Sequence, residues 1–115
     1  MILPKIVSTL VNNDANEALI ELYLNEDLLW FKGHFDGFPI LPALCQISML
    51  RHFANTLFNL DITIEKIPRI KFLKIARPKD TIFLKLSLNE AKNTLTFDYF
   101  NKDKESYSKG TIKIC

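Results

Sequence analysis

A histidine in a loop stands directly before a long helical stretch. His34 lies where Gly33, Gly37 and Pro39 exclude regular structure. A histidine is partly unprotonated near neutral pH and still basic, so in such a loop it can take a proton from a substrate. Glycine lets the backbone approach a ligand closely, and Pro42 suits the first turn of a helix, where free N–H groups can hold negative charge. From the residue types alone, His34 is either such a base or a histidine that pins the loop by bonding to backbone groups.

The helical stretch that follows offers polar groups but no carboxylate. Gln46 either orients a substrate carbonyl or forms hydrogen bonds with the loop. Ser48 is a very weak acid, and its hydroxyl can bond back to the carbonyl of Leu44. His52 lies four residues after Ser48, on the same helical face. It is either a second catalytic candidate or a histidine that bonds to nearby polar groups.

Asp36 is the carboxylate of the loop. It lies two residues from His34, so in an extended stretch the two side chains can share a face. A turn aspartate that faces solvent is the alternative interpretation. The loop therefore contains one candidate acid for a reaction in which His34 is the base.

Alternating apolar and polar residues predict extended structure around this helical stretch. Ile20, Leu22 and Leu24 alternate with polar positions, and polar turns separate the later runs. The predicted strands are residues 17–25, 28–33, Arg69–Ala76, Thr81–Leu88, Thr94–Phe100 and Ser106–Ile114.

The helix is predicted to begin at Pro42 and to end near Asn59 to Asp61. Apolar residues recur at spacings of three and four, and Cys45, Met49 and Phe53 extend the apolar surface around most of the circumference. A helix that is apolar nearly all round is buried, so the sheet must wrap it. The order of the elements predicts an α+β fold.

The composition is that of an ordinary globular domain. The 115 residues support a single domain over 1–115, with 48% hydrophobic and 24% charged residues. A net charge of +2 gives no reason to expect a nucleic-acid partner, and the apolar region 38–50 is too short and interrupted to span a membrane. Cys45 and Cys115 form no disulfide framework and the first residues do not resemble a signal peptide, so we expect a cytoplasmic protein. No zinc spacing or nucleotide-binding loop is present in the sequence, so no metal or cofactor is expected.

A basic stretch lies between residues 66 and 79. It either meets an acidic partner or is the solvated face of a strand. Its cations include Arg69, Lys71, Lys74, Arg77 and Lys79.

Residues 33–49, GHFDGFPILPALCQISM, resemble the 3-hydroxyacyl-(acyl carrier protein) dehydratases of the FabA/FabZ class. The pattern of that class is roughly G-H-F-P-G-x-P-x-x-P-G, followed by a helix with an acidic residue. Residues 70–88 look like its later strand, R-P-x-D turn and strand. The resemblance is closest to the short dehydratase-like proteins of aryl-polyene biosynthesis, which also carry a glutamine where Gln46 stands. The matching residues of the loop are Gly33, His34, Phe35, Gly37, Pro39, Ile40 and Pro42.

The sequence departs from this pattern at the acidic position. The acid of the class lies fourteen residues after the histidine, where this chain has Ser48. The loop proline is replaced by Asp36, the glycine at the helix start by Ala43, and a later turn glycine by Lys79. Loss of a general acid typically costs about 10²–10⁴ in rate.

The resemblance implies a hot-dog fold, a curved antiparallel sheet wrapped around one long helix. It implies a homodimer, or a larger oligomer of dimers, with His34 of one subunit facing Ser48 of the other. The substrate would be a thioester on acyl carrier protein or coenzyme A. By this resemblance His34 is the base, and Ser48 acts on the hydroxyl group of the substrate. Asp36, Gly37, Pro42 and Gln46 are the candidate substrate-binding residues.

Three functions remain open from the sequence. The first is a dehydratase that works with His34 and Ser48. The second is a hot-dog acyl thioesterase, with a water held near Ser48 and Gln46. The third is a catalytically impaired partner that binds acyl carrier protein, which would explain the missing acid most simply.

Overall fold

A six-stranded antiparallel sheet and one long helix make up the structure. The structure is a computed structural model that describes residues 3–31 and 40–114. For residues 64–69 it describes only the backbone. The order in the sheet is β1-β2-β4-β5-β6-β3, and the predicted α+β class is confirmed. The elements are β1 (Lys5–Asn12), β2 (Glu17–Tyr23), a short 3-10 helix (Leu29–Phe31), α1 (Ala43–Leu57), β3 (Ile64–Phe72), β4 (Thr81–Asn89), β5 (Thr94–Phe100) and β6 (Ser106–Ile114).

The predicted alternation sets the inner face of the sheet. Buried and less buried residues alternate along β2, β4 and β5, as a strand with one face in the core requires. Burying one such aliphatic side chain contributes about 1.5–3 kcal/mol. The buried side chains include Ile20, Leu22, Ile82, Leu84, Leu86, Leu95, Phe97 and Ile112, and they form one core cluster with the helix.

Only one face of α1 is buried within this chain. Met49, Leu50 and Phe53 pack into the core, whereas Leu44 is 75% exposed. The prediction of a helix buried nearly all round is therefore wrong for the single chain. The sheet covers one side of the helix, and the opposite side remains accessible.

The ends of α1 have clear local causes. Pro42 is extended, with φ −63° and ψ 148°, so it precedes the helix instead of occupying its first turn. At the other end Asn59 has a φ of 55°, and the N–H of Leu60 donates to the carbonyl of Asn55 at 3.0 Å. A left-handed residue followed by such a bond is a common helix termination. The predicted end near residues 59–61 is two to four residues beyond the observed end at Leu57.

The prediction of an extended run over residues 28–33 is wrong where the structure describes it. Leu29–Phe31 form a 3-10 helix. The N–H of Leu28 donates to the carbonyl of Asn25 at 3.1 Å, and that of Phe31 donates to Leu28 at 3.0 Å. The three-residue spacing of Leu28 and Phe31 places both in the core, whereas a strand would send them to opposite faces.

β1 was not among the predicted strands. All of its residues are exposed, so it lacks the alternation by which a strand is recognised. It is an edge strand that pairs with β2 from Lys5 opposite Tyr23 to Asn12 opposite Glu17, with a register shift between Ile6 and Ser8.

β3 lies at the other edge and begins earlier than predicted. The prediction was Arg69–Ala76, and the strand spans Ile64–Phe72. Pro68 interrupts the pattern in the sequence, but an edge strand tolerates proline because one of its sides needs no ladder bonds. The strand ends where the N–H of Leu73 turns to the carbonyl of Tyr107, at 2.8 Å.

Candidate functional site

The predicted site residues fall into two groups. His34, Asp36 and Gly37 lie outside the described residues. Pro42, the residue immediately before α1, and Gln46 and Ser48 of its first turns are described. The geometry of the site is therefore seen from the helix side.

The start of α1 presents backbone donors. The carbonyl of Pro42 accepts hydrogen bonds from the N–H groups of Cys45 at 3.1 Å and Gln46 at 3.2 Å. Among the described residues the structure shows no acceptor for the N–H groups of Ala43 and Leu44, as is usual at a helix N-terminus. Both residues are exposed, so these two donors can reach a negatively charged oxygen of a ligand.

Ser48 lies half-buried on α1. Within residues 3–31 and 40–114 the structure shows no hydrogen-bond partner for its hydroxyl, and the alternative bond to the carbonyl of Leu44 is not formed. The hydroxyl is therefore available to a ligand as donor or acceptor.

Gln46 is held by hydrogen bonds at both ends of its side-chain amide. It is 5% exposed, its Nε2 donates to the carbonyl of Leu41 at 3.3 Å, and its Oε1 accepts from the hydroxyl of Ser108 at 2.7 Å. The first of these bonds agrees with the interpretation in which Gln46 bonds to the segment leading into the helix. The carbonyl of Gln46 also accepts from the hydroxyl of Tyr99 at 2.5 Å.

Sequence reasoning did not select Ser108 or Tyr99. A signal was available in the spacing along the strands. Ser108 is an even number of residues from Ile112, and Tyr99 is an even number from Leu95, which places both hydroxyls on the inner face. Both residues are almost completely buried. Polar groups at inward positions need partners, and the helix supplies them.

His52 is half-buried one turn after Ser48, on the same face. Its ring contacts that of Phe53 edge-on, with the centroids 5.4 Å apart. Cys45 lies at the helix start, and burial raises the pKa of its thiol, which keeps it protonated and a weak nucleophile. In the part of the chain that the structure describes, no group of His, Cys, Asp and Glu residues could hold a metal ion.

The segment between β3 and β4 supports the start of the helix. The carbonyl of Ala76 accepts from the N–H of Leu41 at 2.8 Å. Asp80 holds the turn of this segment, because its Oδ2 accepts from the N–H of Arg77 at 2.9 Å and from the hydroxyl of Tyr107 at 3.2 Å. The backbone that faces the helix start is thereby fixed to β6.

The outer side of the same segment lines a groove of about 770 Å³ that contains several cations. Lys74 pairs with Glu105 at 3.6 Å and Lys79 with Glu26 at 3.7 Å, all with exposed side chains. Such exposed pairs contribute little energy and open readily for a partner. The basic residues that line the groove are Lys74, Arg77, Lys79 and Lys102.

Burial raises the pKa of Tyr107, and the negative charges of Asp80 and Glu105 raise it further. The phenol is therefore protonated at physiological pH and remains a donor to Asp80.

Among the described residues, no helix is long and apolar enough to cross a membrane.

Comparison with known proteins places this arrangement in a family. Residues 10–111 match the family model described as "ApeI-like: ApeI dehydratase". The 3-hydroxyacyl-[acyl-carrier-protein] dehydratase FabZ of Oenococcus oeni is 29% identical over 96 residues, which cover 77% of this chain and 68% of that protein.

Solved structures show the same relationship. A chain of the dehydratase heterocomplex ApeI:P from Xenorhabdus doucetiae superposes with a TM-score of 0.90 at 36% identity, covering 97% of each chain. An uncharacterized protein from Erwinia carotovora subsp. atroseptica superposes with a TM-score of 0.86 at 32% identity, covering 99% of this chain and 97% of that one. The chain is a hot-dog protein that belongs to the ApeI-like dehydratase family and is related to FabZ.

Proposed function

We propose that this protein dehydrates 3-hydroxyacyl thioesters carried by acyl carrier protein, with His34 as the base and Ser48 on the hydroxyl side. The observation that carries the proposal is the position of Ser48 and the availability of its hydroxyl. It occupies the position of the acid in the FabA/FabZ pattern, and its hydroxyl has no partner among the described residues. The free donors at Ala43 and Leu44 lie one turn before it.

The reaction assigns a task to each group. His34 takes the proton from C2, and the charge that develops on the thioester oxygen is stabilised by N–H donors of the helix start and of Gly37. The C3–O bond then breaks, and the departing hydroxide must gain a proton to leave as water. Ser48 donates that proton only if it recovers one from solvent, Asp36 or protonated His34. We therefore expect turnover about 10²–10⁴ below that of a site with a carboxylic acid.

The proposed enzyme is a homodimer in which the accessible side of α1 and the edge strand β3 are covered. Leu44 is 75% exposed, and Phe72, Leu73 and Ile75 are each exposed by at least 45%. Exposed large apolar side chains of this kind are typical of a subunit interface. The dimer would bring Ser48 of one subunit towards His34 of the other.

A second candidate function has a specific observation in its favour. A similar chain belongs to the dehydratase heterocomplex ApeI:P from Xenorhabdus doucetiae. If this chain has a different chain as its partner, that partner can supply the acid that Ser48 does not. The chain alone would then bind the thioester without turning it over.

The test is turnover of a 3-hydroxyacyl thioester and of its trans-2-enoyl counterpart by the wild type and by the His34→Ala and Ser48→Glu variants. Wild-type activity that disappears in His34→Ala supports the dehydratase proposal. Ser48→Glu should raise the rate by about 10²-fold or more, because it restores a carboxyl group at the acidic position.

The control for Ser48→Glu is Ser87→Glu, which places the same charge on the outer face of β4 and should leave the rate unchanged. A silent wild type with an active Ser48→Glu variant would support the second candidate. Absence of turnover in all variants, with thioester binding retained, would overturn the dehydratase proposal. Release of free thiol without dehydration would instead indicate a thioesterase.

A further inference from the structure

A buried polar cluster joins α1 to the sheet directly beside the proposed site. It consists of Gln46 on the helix, Tyr99 on β5 and Ser108 on β6, which are 5%, 1% and 0% exposed. We infer that Tyr99 and Ser108 are positioning residues, which hold the turn of α1 that carries Ser48 and the backbone that enters the helix. This inference rests on the proposed function of that site.

Tyr99 holds the turn that carries Ser48. Its hydroxyl donates to the carbonyl of Gln46 at 2.5 Å. In a regular helix that carbonyl, two residues before Ser48, accepts from the N–H of Leu50, two residues after it. A hydroxyl that also bonds to this carbonyl ties the turn to the sheet and sets its local geometry. Ser48 lies midway between Gln46 and Leu50, so its direction depends on this contact.

Ser108 fixes the orientation of the Gln46 amide. Its hydroxyl donates to Oε1 of Gln46 at 2.7 Å, which leaves Nε2 to donate to the carbonyl of Leu41 at 3.3 Å. A flipped amide would place Oε1 against the carbonyl of Leu41, where two acceptors would repel. The N–H of Leu41 is held from the other side by Ala76. The residue that precedes Pro42 is therefore fixed by a chain of contacts that begins at Ser108.

The chemistry of the cluster favours positioning over simple filling of the core. Three apolar side chains could occupy the same space without any demand for hydrogen-bond partners. A fully satisfied polar network specifies a single arrangement, because any shift of the helix breaks hydrogen bonds that buried groups cannot replace. Among the described residues, every buried side-chain nitrogen and oxygen has a partner.

The test compares Tyr99→Phe with Tyr107→Phe. Both variants remove a phenolic hydroxyl from a buried tyrosine of the sheet, but the hydroxyl of Tyr107 contacts Asp80, not α1. Turnover of a small 3-hydroxyacyl thioester gives kcat and KM, and amide hydrogen exchange reports on residues 46–52. Urea unfolding shows whether the two variants lose similar stability.

We expect Tyr99→Phe to lower kcat about tenfold with KM within about twofold, because the site loses geometry and not binding contacts. Amide exchange at residues 47–51 should be about tenfold faster, because the turn is released from the sheet. Tyr107→Phe, whose hydroxyl acts on the segment before the helix and not on this turn, should leave exchange at residues 47–51 unchanged and should lower kcat less than Tyr99→Phe at comparable stability. The double variant Gln46→Leu/Ser108→Ala removes the amide and its hydroxyl partner together and leaves only the carbonyl of Leu41 without its donor, so it should still fold and show the lowered kcat.

Equal kcat losses in Tyr99→Phe and Tyr107→Phe would overturn the inference, and so would unchanged exchange at residues 47–51. If no variant turns over and the wild type is also silent, the proposed dehydratase function fails. The exchange measurement then decides the inference alone: faster exchange limited to this turn supports positioning by Tyr99, and unchanged exchange refutes it.

Discussion

At the scale of single residues, the most informative position is Ser48. In the proposed site a serine provides a hydrogen bond where the FabA/FabZ pattern has a proton donor, so the expected difference concerns the chemistry and not the fold. Because the hydroxyl has no partner among the described residues, a larger acidic side chain can replace it without breaking a structural contact seen there. This is why Ser48→Glu is an informative test of function.

A second prediction at this scale concerns pH. Burial, followed by the charges of Asp80 and Glu105, raises the pKa of Tyr107 in the folded protein, and burial raises that of Tyr99. The unfolded phenols titrate near pH 10, so above that pH the folded state binds more protons than the unfolded state. The stability associated with both phenols is therefore present below about pH 10 and is lost as the pH rises further.

Urea unfolding between about pH 8 and about pH 11 measures this loss. Above pH 10 the free energy of unfolding of the wild type should fall as the pH rises. Tyr107→Phe should reduce the slope of this decrease by up to about 1.4 kcal/mol per pH unit. Tyr23→Phe, on the outer face of β2, leaves both buried phenols in place and should retain the slope of the wild type. A slope that does not differ between Tyr107→Phe and the wild type would contradict the assignment.

At the scale of elements, the turn before β4 stores backbone strain. Lys79 has a φ of 73°, and its N–H donates to the carbonyl of Leu24 at 2.6 Å. A side chain in the left-handed region costs about 1 kcal/mol or more, which glycine avoids. The FabA/FabZ pattern has a glycine at this position, so the substitution by lysine is a local loss of stability.

Lys79→Gly should therefore stabilise the protein by about 0.5–1 kcal/mol, seen as a higher urea midpoint with an unchanged m-value. Lys79→Ala removes the same charge and the same exposed ion pair with Glu26 but keeps the Cβ. It should not stabilise the protein. Equal shifts in the two variants would mean that the charge, and not the backbone, is responsible.

At the scale of the whole molecule, the proposed homodimer would complete the site. Leu44→Lys places a charge on the accessible side of α1 and should lower the mass in solution from twice 13.3 kDa towards 13.3 kDa. Leu10→Lys is the control, because Leu10 is 68% exposed on the opposite edge strand β1. A wild type that is monomeric at micromolar concentration would refute the homodimer and direct attention to a different partner chain.

The second prediction at this scale concerns the carrier protein. If the basic groove of Lys74, Arg77, Lys79 and Lys102 contacts an acidic acyl carrier protein, Lys102→Glu should raise KM for the carrier-bound substrate about three- to tenfold. The effect should weaken with added salt and be absent for a small thioester. Lys92→Glu, in the exposed turn between β4 and β5, makes the same change in net charge and should leave KM unchanged. Equal effects of the two variants would argue for a nonspecific influence of charge.

The sequence by itself determined the parts of the fold in which a local pattern reflects burial. The alternation along β4 and β5 predicted both strands and their inner faces, because the period of a strand is two and one face meets the core. The loop pattern around His34 identified the family, which residues 10–111 confirm. The roles of His34, Asp36 and Gly37 remain predictions, because these residues lie outside the described part of the chain.

Only the tertiary structure decided features that depend on partners distant in the sequence. β1 has no buried face, so its existence depends on pairing with β2 and not on its own pattern. Two partners of Gln46 come from β6, 62 residues away, and from β5, 53 residues away, and no local signal specifies which hydroxyl meets which group of Gln46. Hydrogen-bond partners across a core are set by the packing of whole elements, and that packing is known only once the chain has folded.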